Sequence, residues 1–212
     1  RSLNFYKTRR MNIRKSAKTR AAIRTELLAA YANGRLWGEQ NPDWPLPTQM
    51  ARGDDRHLAY LTLVYAISGG RKPQALWRFA RQTAAADPVL FSPHFLAYTQ
   101  PSAILDRLQQ PGIARKKSDA TVWQRIGQAL MMRAQGSVQR LLADHNFDAP
   151  GLLAMLQTNK TTFPVLSGLQ TAPRWLYGLA TAGNQPVKGA AQLPVPVSPG
   201  ARRALARLQI DA

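Results

Sequence analysis

The chain has 212 residues, enough for one large domain or two small lobes with a sizeable core. Lys and Arg number 29 against 11 Asp and Glu, a formal net charge of +18, and 45% of residues are apolar. There is no cysteine, which excludes disulfides, iron–sulfur clusters and thiolate zinc sites. No apolar run reaches the ~18 residues that a membrane span needs.

A charge of this size favours a polyanionic partner. The basic residues are spread through many segments instead of lying beside one large hydrophobic face, which favours nucleic acid over an anionic membrane surface. Most are Arg, whose planar fork suits phosphate. His57, His94 and His145 lie far apart without ligand spacing, so no metal site is expected. The basic N-terminus is not followed by the apolar stretch of a signal peptide. The expected compartment is the reducing cytoplasm, with the bacterial nucleoid as the place of work.

In chain order, residues 1–24 form a basic arm without an acid before Glu26. The arm reads as phosphate-tracking or as a solvated basic face. It becomes helical from about Lys15, with Ile23, Leu27 and Tyr31 at four-residue spacing and a stop at Gly34. Residues 35–56 are a loop broken by Pro42, Pro45 and Pro47. Trp37 and Trp44 in it pack the loop down or stack on bases. The run HLAYLTLVYAIS (57–68) reads as a central buried helix ended by Gly69-Gly70. A second helix follows, with Pro73 in its first turn, Leu76, Phe79 and Ala80 on its buried face and Arg78 and Arg81 opposite.

Residues 87–100 read as a proline-broken connection with a turn of helix, and PSAILDRLQQPG as a short helix closed by Gly112. The clearest helix comes next, with Ser118 as N-cap, Asp119 favouring the positive helix end, and Val122, Ile126, Ala129 and Leu130 sharing a face. Arg115, Lys116 and Lys117 cluster before it. Short helices are expected at 137–144 and 149–157. After them TFPVLSGLQTAPRWLYGLA (162–180) holds a turn, a glycine and an amphipathic helix. No stretch alternates with a strand's period, so the expected class is all-α.

The serial order of these elements resembles the helix-hairpin-helix DNA glycosylase superfamily, which includes endonuclease III, over about residues 57 to 210. PGIARKKSDATVWQRIGQALMMRAQGSV is similar to the segment that leads into the family's long helix. Leu166-Ser167-Gly168-Leu169-Gln170-Thr171-Ala172 is similar to the family's hairpin, two residues shorter. Val197-Ser198-Pro199-Gly200-Ala201-Arg202-Arg203 lies where the family's next helix opens. The resemblance implies a two-lobed helical bundle. Its helix-hairpin-helix lies at about 150–182, with residues 1–24 as an arm and 25–212 as the glycosylase-like domain.

A helix N-terminus has unpartnered amides and a positive dipole end, and so attracts a phosphate. Amides near Gly168, Gln170 and Thr171, with Arg174 a turn later, form the expected clamp, in which glycine permits φ > 0 and a close approach. Arg115, Lys116, Lys117, Arg202, Arg203 and the arm would support it. The competing reading is a plain corner, with Trp175, Leu176 and Leu179 in the core.

Catalysis departs from what the resemblance implies. Gln170 stands where bifunctional members carry the lysine that forms a Schiff base. Ser198 stands where the family's aspartate stabilises the cationic sugar; a hydroxyl caps a helix but brings no negative charge. Gly200 takes the histidine position, and residues 185–210 contain no acid. Asp54 and Asp55 read as caps for the 57–68 helix or as a displaced acid.

The expected function is therefore duplex-DNA binding through phosphates without the usual base excision, within a larger assembly. The alternatives are an active monofunctional glycosylase and an RNA- or ribosome-associated basic protein. No cofactor is expected beyond a monovalent or divalent cation at the hairpin.

Overall fold

The computed structural model describes residues 22, 25, 26, 29, 46–109, 112–114, 116–194 and 203. Contacts divide the chain into two compact units, residues 1–41 with 203–212 and residues 42–202. This division falls later than the end of the basic arm drawn from charge at residue 24. Of the first unit, Ala22, Thr25, Glu26, Ala29 and Arg203 are described, all helical and exposed. The rest of the arm, Trp37, Trp44 and Ser198 lie outside the described residues.

The second unit is helical, and among the described residues its only extended pairing is one bridge between Asp148 and Lys188. Helix α1 (Asp55–Ala66) is buried from His57 to Ala66, as the apolar run predicts for a central helix. Asp54 caps it by accepting the His57 amide at 2.7 Å. Helix α2 (Pro73–Ala86) opens with proline at its first position and buries Leu76, Trp77 and Ala80, leaving Arg78 and Arg81 outside.

A 3-10 turn (Pro88–Phe91), α3 (Pro93–Tyr98) and α4 (Pro101–Gln109) follow. The connection expected over 87–100 is thus more helical than its prolines suggested. Pro88, Pro93 and Pro101 each start a helical segment, where a missing amide costs nothing.

Helix α5 (Lys117–Ala134) crosses α3 closely, and Gly127 makes that possible. A Cβ there would stand 2.7 Å from the Leu96 Cβ and 2.9 Å from the Pro93 carbonyl oxygen. Helices α6 (Val138–Ala143), α7 (Ala149–Thr158) and α8 (Thr171–Thr181) complete the unit.

Helix α1 packs against α2, α5, α6 and α8. Two fully buried tryptophans fasten it. Trp123 of α5 donates its indole N–H to the Leu63 carbonyl at 2.9 Å, and Trp175 of α8 donates to the Thr62 hydroxyl at 2.9 Å. Thr62 in turn donates to the Leu58 carbonyl at 2.7 Å, so this polar chain is satisfied inside the core. Tyr60, Trp77, Phe91 and Trp123 add a run of tilted ring contacts beside α1.

The start of α5 differs from expectation. Ser118 is not its N-cap but lies inside the first turn, exposed; Lys116 holds the cap position. Asp119 supplies the missing acceptor by taking the Lys116 amide at 3.0 Å.

Candidate nucleic-acid interface

The segment 159–170 between α7 and α8 is a succession of turns. Phe163 and Leu166 anchor it in the core, at 1% and 0% exposure. Between these anchors Val165 adopts φ 66, a left-handed conformation rare for a β-branched residue. Gly168 is not in that conformation. What requires a glycine there is space, because a Cβ would lie 3.0 Å from the Val165 carbonyl oxygen. The Gly168 amide donates to that same oxygen at 2.9 Å.

The amides at the start of α8 are largely committed. Thr171 and Ala172 both donate to the Gly168 carbonyl, at 3.1 and 2.9 Å, and Pro173 has no N–H. Among the described residues, the Leu169 and Gln170 amides have no recorded partner, and both residues are exposed. The structure thus brings Gly168, Gln170, Thr171 and Arg174 into one turn but divides their roles. Gly168 and Thr171 give shape, the 169–170 amides make no hydrogen bond among the described residues, and Arg174 is exposed one helical turn on. Trp175, Leu176 and Leu179 are core residues.

A second basic element lies before α5, and its anchor was not legible in the sequence. Arg71 donates one guanidinium nitrogen to the Ile113 carbonyl and another to Asp119, at 2.5 Å. Both side chains are nearly buried. This bridge ties the turn before α2 to the loop before α5, and Lys72, Lys116 and Lys117 are exposed beside it. Arg115 and Arg202 lie outside the described residues; Arg203 belongs to the other unit.

Several described acids of the second unit do structural work, while Asp106 is exposed and makes no ion pair among the described residues. Asp54 and Asp148 cap helices, Asp87 pairs with Arg107, and Asp119 pairs with Arg71. The cations Lys72, Arg81, Lys116, Lys117, Lys160 and Arg174 are exposed and make no ion pair among the described residues. From residue 149 to residue 210 the sequence contains no acid at all. Net positive charge is therefore left on the outside of the helices instead of being neutralised in place.

The two candidate acids part company. Both Asp54 oxygens accept amides, from His57 at 2.7 Å and Ala51 at 3.2 Å, so Asp54 is a cap. Asp55 accepts the Gln139 amide at 3.0 Å, across from α6. It also lines a cleft of about 500 Å³ whose walls include Met50, Arg56, Ala59, Val89 and Phe91. His57, next to these acids, is buried and takes the Gly53 amide on Nδ1 at 3.1 Å, a bond that needs the neutral ring. Burial lowers its pKa to about 4 against the neighbouring Asp54 charge, which raises it. Burial likewise pushes the Tyr60 and Tyr65 phenols upward. Tyr65 lies over Gly178 of α8, where a Cβ would run into its hydroxyl and ring edge.

Among the described residues no three His, Asp or Glu side chains gather as a metal site. No helix among them is long and apolar enough to cross a membrane. No protein-family model, curated protein or solved structure matches this chain.

Proposed function

We propose that the chain is a DNA-binding protein of the helix-hairpin-helix glycosylase type that holds duplex phosphates without the usual excision chemistry. In this reading α7, the 159–170 turns and α8 are the hairpin. The unbonded amides of the exposed residues Leu169 and Gln170 and the Arg174 side chain meet one phosphate; Lys116 and Lys117 meet others. Such contacts position a duplex and read no sequence. One observation carries the reading: most described carboxylates of the second unit are engaged within the fold, while six exposed cations make no ion pair among the described residues. A polyanion supplies what they lack.

The excision step lacks its electrostatic partner, because Ser198 stands where the resemblance puts an aspartate, and Gln170 in the lysine position removes the Schiff-base route. A gel-shift panel of plain, abasic and modified duplexes against single strands and RNA tests the reading. Tightest binding to duplex DNA supports it; preference for structured RNA overturns it. The reading implies work at the nucleoid within a larger assembly.

A second reading has one observation in its favour. Asp55 lines the 500 Å³ cleft, where an acid displaced from the family position could serve a glycosylase. Release of a damaged base from an oligonucleotide, abolished by Asp55→Asn, would establish it. Absence of release across a panel of lesions would leave the first reading standing.

A further inference from the structure

The cleft of about 500 Å³ beside Asp55 has the size of a small-molecule site. Met50, Ala59 and Phe91 line it and are buried, so its floor is apolar. Pro88 and Val89 are exposed at its edge. The Phe91 ring is held between Tyr60 and Trp123, 5.1 Å from each centroid to centroid, which keeps the floor in place.

Two opposite charges line the same cleft. Asp55 opens α1, and its Oδ1 accepts the Gln139 amide at 3.0 Å. That bond orients the carboxylate and leaves Oδ2 without a partner among the described residues. Arg56 is exposed and makes no hydrogen bond or ion pair among the described residues. Asp54 is committed to the His57 and Ala51 amides, and His57 is buried and neutral, so neither supplies what the cleft charges lack.

These features select the ligand. A wholly apolar molecule would strip water from both charges and return no hydrogen bond. A simple cation would meet Arg56 and a chain of net charge +18, and a simple anion would meet Asp55. A zwitterion with an apolar tail answers every surface. Its ammonium donates to Asp55, its carboxylate accepts from Arg56, and its tail lies on Met50, Ala59 and Phe91.

We propose that the cleft binds a free α-amino acid with a large apolar side chain, of the leucine, methionine or phenylalanine kind. The proposal does not depend on the DNA-binding reading. It competes with the second reading, which gives the same cleft to a damaged base.

Calorimetric titration and thermal melts of the full chain with L-leucine, L-methionine and L-phenylalanine test it. Phenylalanine amide, N-acetylphenylalanine and free purine bases are the comparisons. Saturable binding of the apolar amino acids, with a matching rise in Tm, is the expected result. The amide and the N-acetyl derivative each lack one charge and should bind on the order of ten-fold more weakly. Asp55→Asn should weaken the free amino acid but leave the N-acetyl derivative unaffected; Arg56→Gln should weaken the free amino acid but leave the amide unaffected. Both positions are exposed, so the unliganded Tm should hold, and it is measured first. Val89→Trp, at the exposed edge, should block the cleft and abolish binding. No saturable binding of any apolar amino acid overturns the proposal, as does equal affinity for the two derivatives and the parent amino acid. Preferential binding of a purine base would also overturn it and return the cleft to the second reading.

Discussion

Replacing Arg71 by Gln should cost the protein much of its stability margin. The guanidinium serves two partners at once, the Ile113 carbonyl and the Asp119 carboxylate, with side-chain exposures of 8% and 12% across the ion pair. Without it Asp119 keeps the Lys116 amide at 3.0 Å but loses the Arg71 guanidinium. Removing one side of a buried pair costs about 3–5 kcal/mol. Gln reaches one of the two partners at best and relieves a little of this, so about 3 kcal/mol is the expected loss. For a chain of this length 1 kcal/mol moves Tm by about 2–4 °C, giving a fall of about 6–12 °C.

Urea denaturation and calorimetry would measure it. Adding Asp119→Asn to Arg71→Gln should recover part of the loss, with a coupling of about 1 kcal/mol or more. Lys116 and Lys117, at the start of α5, lose that anchor in the single variant, so under the proposed DNA-binding function affinity should fall with it. A Tm within about 2 °C of wild type, or strict additivity in the double variant, would refute the claim that this bridge braces the two loops.

Three further outcomes are expected. Gly127→Ala should destabilise by about 1–3 kcal/mol in thermal melts, since its Cβ meets the Pro93 oxygen and Leu96 at 2.9 and 2.7 Å. His57 should make the fold acid-sensitive. Its folded pKa, about 4, lies below the ordinary 6.5, so its contribution is whole above pH 6.5 and is lost as pH falls towards 4. At 1.36 kcal/mol per unit the loss is at most about 3 kcal/mol, and a denaturation series from pH 7 to 4 that stays flat would contradict it. Gly168→Val should weaken DNA binding several-fold with helicity preserved, because the new Cβ lies 3.0 Å from the Val165 oxygen and must open the turn; unchanged affinity would make the hairpin a plain corner.

Local pattern carried most of the fold. The unbroken apolar run of α1 announced a helix buried all round, and Pro73 marked the start of α2. Pro88 and Pro93 misled because proline both breaks a helix and begins one, and only packing decides which. Ser118 misled for a different reason. Asp119 fills the capping role while held by Arg71, forty-eight positions away in the chain, a separation that no local reading spans.

The candidate site was half legible. Its charge and its glycine stand in the sequence. Its strain does not, since expectation puts the left-handed residue at glycine and burial of Phe163 and Leu166 moves it to Val165. The cleft beside Asp55 is assembled from four separate stretches of chain and leaves no trace in residue spacing.

The salt dependence of duplex binding tests the central claim most directly. If unneutralised cations grip phosphates, the logarithm of the binding constant falls linearly with the logarithm of salt, at about 0.9 per phosphate held. A slope that corresponds to several phosphates is the predicted result; a flat line would contradict it.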